Sequence, residues 1–500
     1  MNYKAIDILK TLSADELEDC RLFMQSKYLN RSLKVAKLYD SLMSYYPDFN
    51  CSKTTEEILC KEVSPHLKYN KSSMKNLFAD LSEALERYLI LKELSCRKHE
   101  SNDLLREEFF KRKLWKYLAR NINNTERDLA NSNELGTDYF LHKYRVSTDK
   151  LNYLSINKPK SGEVYFSEFN EISDERAKNI TGFFAKEMIR QYENLQANNR
   201  ALRDDHNDGF IKHLFETVDF EKLTLFLQSK SNGKLYSKFF GIYNAMFLCY
   251  SDIDNIENYY RYKKLVLANI KSLSEDEVRF HLIRFVSYCM MKIETSVKDS
   301  IFDEELFNVY NFILKNGYYK FRFTQNMPVE FYRTIILQSL KLKKFDYALN
   351  IINGYKKDLH PERRENMHLY ACALYNFYSG NFEEALSHCQ RVKLNHFALK
   401  IDLKSLMLMI CYELDQEISA NSIIDSFRHF ITNNRILSVA ERRKQKSFIE
   451  VITKLFMLRR SGNLSYGYEL KKLIANDLPY KKWIEEKLLD LKVIKRKDRK

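Results

Sequence analysis

The sequence predicts an all-α protein: a small N-terminal helical domain followed by an α-solenoid of stacked helical hairpins. Breakers are scarce, with 11 glycines and 6 prolines in 500 residues, where an average chain carries roughly 12% of the two together. Sheets closed by tight hairpins would need more Gly, Asn-Gly and Asp-Gly than this. Apolar residues also recur at three- and four-residue spacing through most of the chain, the period of a helix face. Finally, residues 368–390, HLYACALYNFYSGNFEEALSHCQ, read as a helix, a turn at Ser379-Gly380-Asn381 and a second helix opening at Phe382. A hairpin that short cannot bury both apolar faces alone, so it calls for stacked neighbours.

In the first 100 residues, Ser13 and Glu16 form a capping box, each satisfying a free amide of the helix start. The helix that follows sets Leu17, Cys20, Phe23 and Met24 on one face. After the turn Lys27-Tyr28-Leu29-Asn30, a second helix carries Val35, Leu38, Tyr39, Leu42, Tyr45 and Tyr46 and stops before Pro47, as pre-proline residues favour. A third short helix starts at residues 54–57 and ends near Pro65, and a fourth repeats Met74, Leu77, Phe78, Leu81, Leu85, Tyr88 and Leu89.

This order resembles a group of uncharacterised Bacteroidota proteins that share an N-terminal helical pattern. Leu12-Ser13, Glu16, Tyr28, Asn30, Tyr46-Pro47 and Phe49 match it, while Lys27 and Leu29 stand where Pro and Phe are usual. The resemblance covers the first 100 residues best, continues faintly through the middle and implies no activity.

Residues 101–325 read as an irregular array of helical hairpins. Leu104, Leu105, Phe109, Phe110, Leu114, Trp115 and Leu118 mark one amphipathic helix. Another is expected around 125–134, and a third holds Tyr139, Phe140, Tyr144, Leu151 and Leu154. Residues 158–162, KPKSG, are the best linker signal. Helix resumes by Phe184, with fraying expected from Gln191. Residues 204–209, DDHNDG, tempt a calcium reading, but Phe215 stands where the distal bidentate Glu belongs. An acidic turn capping the next helix is the plainer reading. Two aromatic faces follow, one on Tyr236, Phe239, Phe240, Tyr243, Met246, Phe247 and Tyr250, the other on Leu282, Phe285, Tyr288 and Cys289. At helical spacing such residues are expected in the core.

Residues 326–490 hold four candidate hairpin copies. A small residue near the start of each second helix falls at Ala348, Ala385, Ala420 and Gly467, at spacings of 37, 35 and 47. A large residue precedes it by three at Phe345, Phe382 and Leu464, with Glu417 in the third copy, and turn glycines stand at Gly380 and Gly462. Lys404 and Lys454 occupy first-helix positions that the better copies keep apolar. The pattern resembles degenerate tetratricopeptide repeats, whose period is about 34 residues. The resemblance implies a concave face of first helices that presents itself to a partner peptide or helix. Asn376 would stand near that groove. Residues 491–500 are a basic tail.

Composition narrows the function classes. Hydrophobic residues are 45% and charged residues 30%, an ordinary globular balance. The net charge of +15 attracts polyanions at low salt, yet no nucleic-acid module signature accompanies it. Nine cysteines form no Cys-x-x-Cys pair, and Cys20, Cys249, Cys289, Cys372 and Cys411 sit on apolar helix faces, where free Cys acts as a small hydrophobe. That usage fits a reducing compartment. The N-terminal MNYKAIDILKTLSADE has no signal-peptide core, and no charge-free apolar run approaches about 20 residues. A cytoplasmic location without a membrane span is expected.

Catalytic motifs are missing: there is no Gly-x-Gly-x-x-Gly, P-loop, Gly-x-Ser-x-Gly or His-Glu-x-x-His. His388, Cys389 and His396 are the nearest His/Cys grouping, on a repeat helix and its following loop. No enzyme, metal or cofactor is therefore expected. A non-catalytic interaction or scaffold protein with a helical-repeat groove for a protein or peptide partner is the leading reading. The alternative is a helical-repeat protein binding RNA or DNA through segments such as 318–323, 259–264 and 442–446. In that case Arg442, Arg443, Lys446, Arg459 and Arg460 would gather on one face. If instead those aromatics are buried at helix junctions, the charges are simply solvated.

Overall fold

The computed structural model describes residues 3–47, 49, 55–131, 139–157, 162–202, 209–230, 234–295, 300–320, 326–393, 397–434, 437, 439–462, 464–474 and 478–491. Among them the regular structure is helical, with no strand and one isolated bridge between Met327 and Leu359. The chain divides into two compact units, Met1–Asn131 with His142–Arg176, and Ser132–Leu141 with Ala177–Lys500.

In the first unit, α1 (Lys4–Leu9) is a short helix that periodicity alone did not reveal. α2 (Ala14–Gln25) begins at the expected capping box: Glu16 donates its amide to Ser13 Oγ, and Ser13 donates its amide to Glu16 Oε2 at 2.7 Å. α3 (Leu33–Met43) ends three residues short of Tyr46, so Tyr45 and Tyr46 lie in the turn. α4 (Glu56–Val63) is capped by Thr55, and α5 (Lys71–Cys96) by Asn70. These five helices share one core that includes Cys20, Tyr39, Phe49, Phe78 and Leu85. Buried hydroxyls tie it together: Tyr39 donates to the Leu17 carbonyl at 2.6 Å and Tyr88 to that of Glu16 at 2.9 Å.

The single helix expected across Leu104–Leu118 is two, α6 (Lys98–Lys111) and α7 (Trp115–Ala130), and α7 also covers most of the helix expected around 125–134. Lys113 breaks it in the left-handed region at φ +56. Leu114 donates to the Phe109 carbonyl and Lys113 to that of Phe110, the paired bonds of a Schellman turn. Leu104 and Leu105 are exposed, and the buried residue of α6 is Arg106. Its Nε meets Asp149 Oδ2 at 2.6 Å, Nη2 meets Asp103, and Nη1 donates to Asn121 at 3.2 Å. Paired on every side, this guanidinium takes the inner position that periodicity assigned to leucines. Asp149 lies on α8 (Tyr139–Asn157), the expected third helix.

α9 (Glu163–Leu202) continues 40 residues without the expected fraying; its part from Ala177 belongs to the second unit. There α10 (Phe210–Thr217), α11 (Phe220–Ser229), α12 (Lys234–Ser251), α13 (Ile256–Ala268), α14 (Glu275–Thr295) and α15 (Ser300–Lys315) follow. Both aromatic faces lie in the core as expected, with Phe240, Tyr243, Phe285 and Tyr288 fully buried. α9 comes close to α12 at Gly182, where a Cβ would stand 2.6 Å from Tyr236 Oη.

The hairpins expected in 326–490 form at the expected positions: α16 (Val329–Lys341) with α17 (Phe345–Gly354), α18 (Pro361–Tyr378) with α19 (Phe382–Arg391), α20 (Phe397–Glu413) with α21 (Glu417–Asn433), and α22 (Val439–Ser461) with α23 (Leu464–Ile474). Each second helix begins three residues before its small residue, and Ala348, Ala385, Ala420 and Gly467 are all buried. Although only two copies carry a turn glycine, all four turns are left-handed at one position: Lys343, Gly380, Asp415 and Gly462, each two residues before its second helix. Lys113 sits equally before α7. The turn geometry therefore repeats where its glycine does not.

Phe345 packs on Tyr375 of the next hairpin, whereas Phe382 packs on Phe377 of its own. Lys404 reaches Ser426 at 2.8 Å and Lys454 pairs with Glu469 and Glu450. Both extend over apolar positions to polar tips, which is how lysine is tolerated there. α16 touches α18, α18 touches α20, and α20 touches α22, so the first helices lie side by side. α24 (Lys481–Asp490) closes the described chain.

Candidate functional site

α24 and its entry residue meet the first helices α20 and α22 through their side chains. Pro479 precedes the helix, and Tyr480 enters it in the left-handed region at φ +57. Ile484 and Leu488, four apart and thus on one face, are fully buried. Beside them Trp483 donates Nε1–H to Glu413 Oε1 at 2.7 Å and sets its ring edge-on to Tyr412, 5.5 Å between centroids. Lys487 Nζ meets Glu413 Oε1 at 2.8 Å, and Lys482 Nζ lies 3.4 Å from Asp303 Oδ2 on α15. The Tyr480 ring meets Phe448 of α22. Burial, then the Asp402 carboxylate and Tyr370, push the Tyr480 phenol well up; burial and Glu486 push Tyr378 up to about 12.

The face beneath is itself braced. Arg333 of α16 pairs with Asp402 of α20 at 2.6 Å. Burial opposes the Arg333 charge most strongly, but Asp402 with Tyr370 and Tyr480 together outweigh it and hold the guanidinium above its usual pKa; burial in turn raises Asp402 despite Arg333. Tyr412 is fully buried, with the Arg459 guanidinium 3.7 Å from its ring centroid. Glu413 and Asp303, the two carboxylates that receive α24, are respectively 11% and 13% exposed. This face therefore meets a helix with acids, through lysines and one indole.

The expected site residues are placed differently. Asn376 is half-buried and returns its Nδ2–H to the Cys372 carbonyl at 3.0 Å, within its own helix. Arg442 donates to the Leu437 carbonyl, while Arg443 and Lys446 are exposed. Arg459 is spent on Tyr412, donating to its carbonyl at 2.5 Å, and Arg460 stands 3.6 Å from Glu417. Arg443 and Arg460 are seventeen residues apart on α22, roughly 25 Å at helical rise, so the five cations split into two groups. Tyr259, Tyr262 and Tyr319 are buried. Residues 321–323, 204–208 and 492–500 and His396 lie outside the described residues, and so does most of the 158–162 linker. Among the described residues no His, Cys, Asp and Glu group is placed to hold a metal.

A second feature belongs to the first unit. A cleft of about 630 Å³ lies between the 26–32 turn and the C-terminal half of α5, lined by Phe23, Tyr28, Arg31, Glu83, Arg87 and Ile90. Asn30, one of the matched residues, holds the turn: its Nδ2 donates to the carbonyls of Met24 and Ser32 and its Oδ1 accepts the Ser32 amide. Tyr28 and Ile90, at 87% and 64% exposure, leave the cleft an apolar rim.

The strongest concentration of titratable groups in the second unit is closed. Glu277, fully buried, accepts from Tyr243 Oη at 2.8 Å and from Arg190 Nη1 at 2.9 Å, with Lys186 Nζ at 3.8 Å. Lys186 also meets Glu187 at 2.9 Å. Tyr262 Oη and His281 Nδ1 are 2.6 Å apart, and Arg284 pairs with Glu193 at 3.2 Å. The Arg190 and Arg284 guanidiniums each lie over the Phe280 ring, 5.0 and 5.4 Å from its centroid. Burial above all, then those two cations, lower His281 to about 3. Such a network joins α9, α12, α13 and α14 as a brace, each charge facing an opposite one.

Periodicity did not distinguish the residues that receive α24, because Glu413 and Asp303 carry no pattern of their own. The one available signal was Trp483-Ile484 followed four residues later by Lys487-Leu488, just after a proline. Comparison with family models, with curated proteins and with solved structures returned no match.

Proposed function

We propose that the protein is a non-catalytic scaffold whose C-terminal hairpins form a tetratricopeptide-like α-solenoid and whose first-helix face holds a helical segment of a partner protein. The N-terminal 100 residues are a separate helical module in this reading, which the shared core of α1–α5 supports. The observation that carries the function is α24 itself: an amphipathic helix with a buried Ile484–Leu488 stripe that meets first helix α20 through an indole-to-carboxylate bond and a lysine on Glu413. A face that seats one helix has the shape and chemistry for helix-in-groove recognition. Its acids, Glu413 and Asp303, favour a protein segment over a phosphate backbone at this surface. The eight described cysteines are free, six of them buried, which supports the expected reducing, cytoplasmic setting. No described helix is long and apolar enough to cross a membrane.

The test is a crosslinked pull-down of the full chain from its native cell, with photo-reactive residues at exposed first-helix positions and mass spectrometry reading both protein and nucleic acid. Protein peptides crosslinked at those positions are expected. Nucleic acid at the same positions, with retention on RNA or DNA that falls steeply with salt, would replace this reading with the nucleic-acid one.

A further inference from the structure

α24 does not extend the hairpin series. A helix capping the last hairpin would lie on α23, but its polar contacts run back to Glu413 and to Asp303, 179 positions upstream of Lys482. It lies where the scaffold reading seats a partner. We infer that α24 is a cis ligand of the first-helix face, and that the partner carries the same signature. That signature is an aromatic residue and an aliphatic one, with a lysine and a second aliphatic four positions on, as in Trp483, Ile484, Lys487 and Leu488. This rests on the scaffold reading and names both its partner class and its regulation.

Three observations bear on an occupant that a like helix can replace. Its charge contacts are made by side-chain tips, and Lys482 is 80% exposed while touching Asp303, so they re-form with any equivalent lysine. The entry residue, Tyr480, holds a left-handed backbone without being glycine, a conformation disfavoured for side chains with a Cβ. The occupant and its seat are also complementary in charge: lysines 482 and 487 meet Asp303 and Glu413. A tethered segment competes at an effective concentration on the order of millimolar, so a partner helix gains the face only by out-competing α24 or after its release.

The test uses the full-length chain and a fluorescein-labelled peptide of residues 478–491, read by anisotropy. Wild type is expected to bind the peptide weakly. The full-length variant Trp483→Ala/Lys487→Ala, which loosens the cis helix, is expected to bind it at least about tenfold more tightly, as removal of a tethered competitor predicts. Adding Glu413→Gln to that variant should return binding to the wild-type level. Equal peptide binding by wild type and the loosened variant, or no effect of Glu413→Gln, overturns the inference.

Hydrogen exchange on the unmodified chain guards against a variant that fails to fold. The α24 amides should exchange far faster than those of α20 and α22, and exchange of all three together only on global unfolding would also overturn it. If the peptide never binds while crosslinks at the first-helix face still recover a protein, the scaffold reading stands and this inference falls. If the peptide binds as described but no protein is crosslinked, cis occupancy stands and the scaffold reading falls.

Discussion

Replacing Glu277 by alanine removes the centre of the closed ionic network. The carboxylate is fully buried and receives Tyr243 and Arg190 at 2.8 and 2.9 Å. After Glu277→Ala, Lys186 keeps Glu187 and Arg190 keeps the Asp276 carbonyl at 3.4 Å. The Tyr243 hydroxyl loses its carboxylate acceptor, and the Arg190 guanidinium loses the anion that holds its pKa above the usual value against burial. Removing one partner of a buried pair costs about 3–5 kcal/mol, because the other charge is left in a low dielectric. Tyr243→Phe deletes only the donor and should cost about 1–2 kcal/mol. In the double variant the orphaned hydroxyl is gone, so the combined loss should fall short of the sum by about 1 kcal/mol. Native-state hydrogen exchange of α12 and α14 amides measures each loss locally. A loss below about 1 kcal/mol for Glu277→Ala would show that water reaches the network and that it is no brace.

Burial and the Arg190 and Arg284 charges keep His281 neutral in the fold down to about pH 3, while the unfolded imidazole protonates near pH 6.5. The unfolded state therefore binds the extra proton, and stability is full above about 6.5 and lost progressively as pH falls toward 3. At pH 5 this amounts to about 2 kcal/mol, and denaturation midpoints of His281→Gln should show a shallower acid limb. Gly380 has φ +83 and open space where a Cβ would stand, so Gly380→Ala should cost about 1 kcal/mol from conformation alone. Lys343→Gly, at the equivalent turn, should instead stabilise by about 0.5–1 kcal/mol, both changes being read by urea titration. In the first unit, Arg106→Met strands Asp149, already raised by burial, while Asp103 keeps Arg145 at 2.9 Å. It should cost about 3 kcal/mol, visible as faster exchange in α6 and α8.

Local chemistry was legible without the fold. The capping box at Ser13, the aromatic cores of α12 and α14, and the small residues that open α17, α19, α21 and α23 all depend on neighbours within about four residues, and such neighbours leave a period in the sequence. The left-handed turns at Lys113, Lys343 and Asp415 were hidden because each uses a residue other than glycine; the backbone bonds that impose the geometry leave no residue-type mark. Arg106 was missed because charge normally signals the outside, and only Asp103 and Asp149 together reverse that.

By itself, then, the sequence determined that this chain is helical, where most helices start and which stripes point inward, since helix formation is settled over single turns. The tertiary structure alone decided that Glu277 gathers Tyr243, Arg190 and Lys186, that the cations of α22 stand apart, and that α24 meets the first helices with Trp483 on Glu413. Those outcomes rest on complementary groups tens to hundreds of residues apart, and such pairings have no period to read.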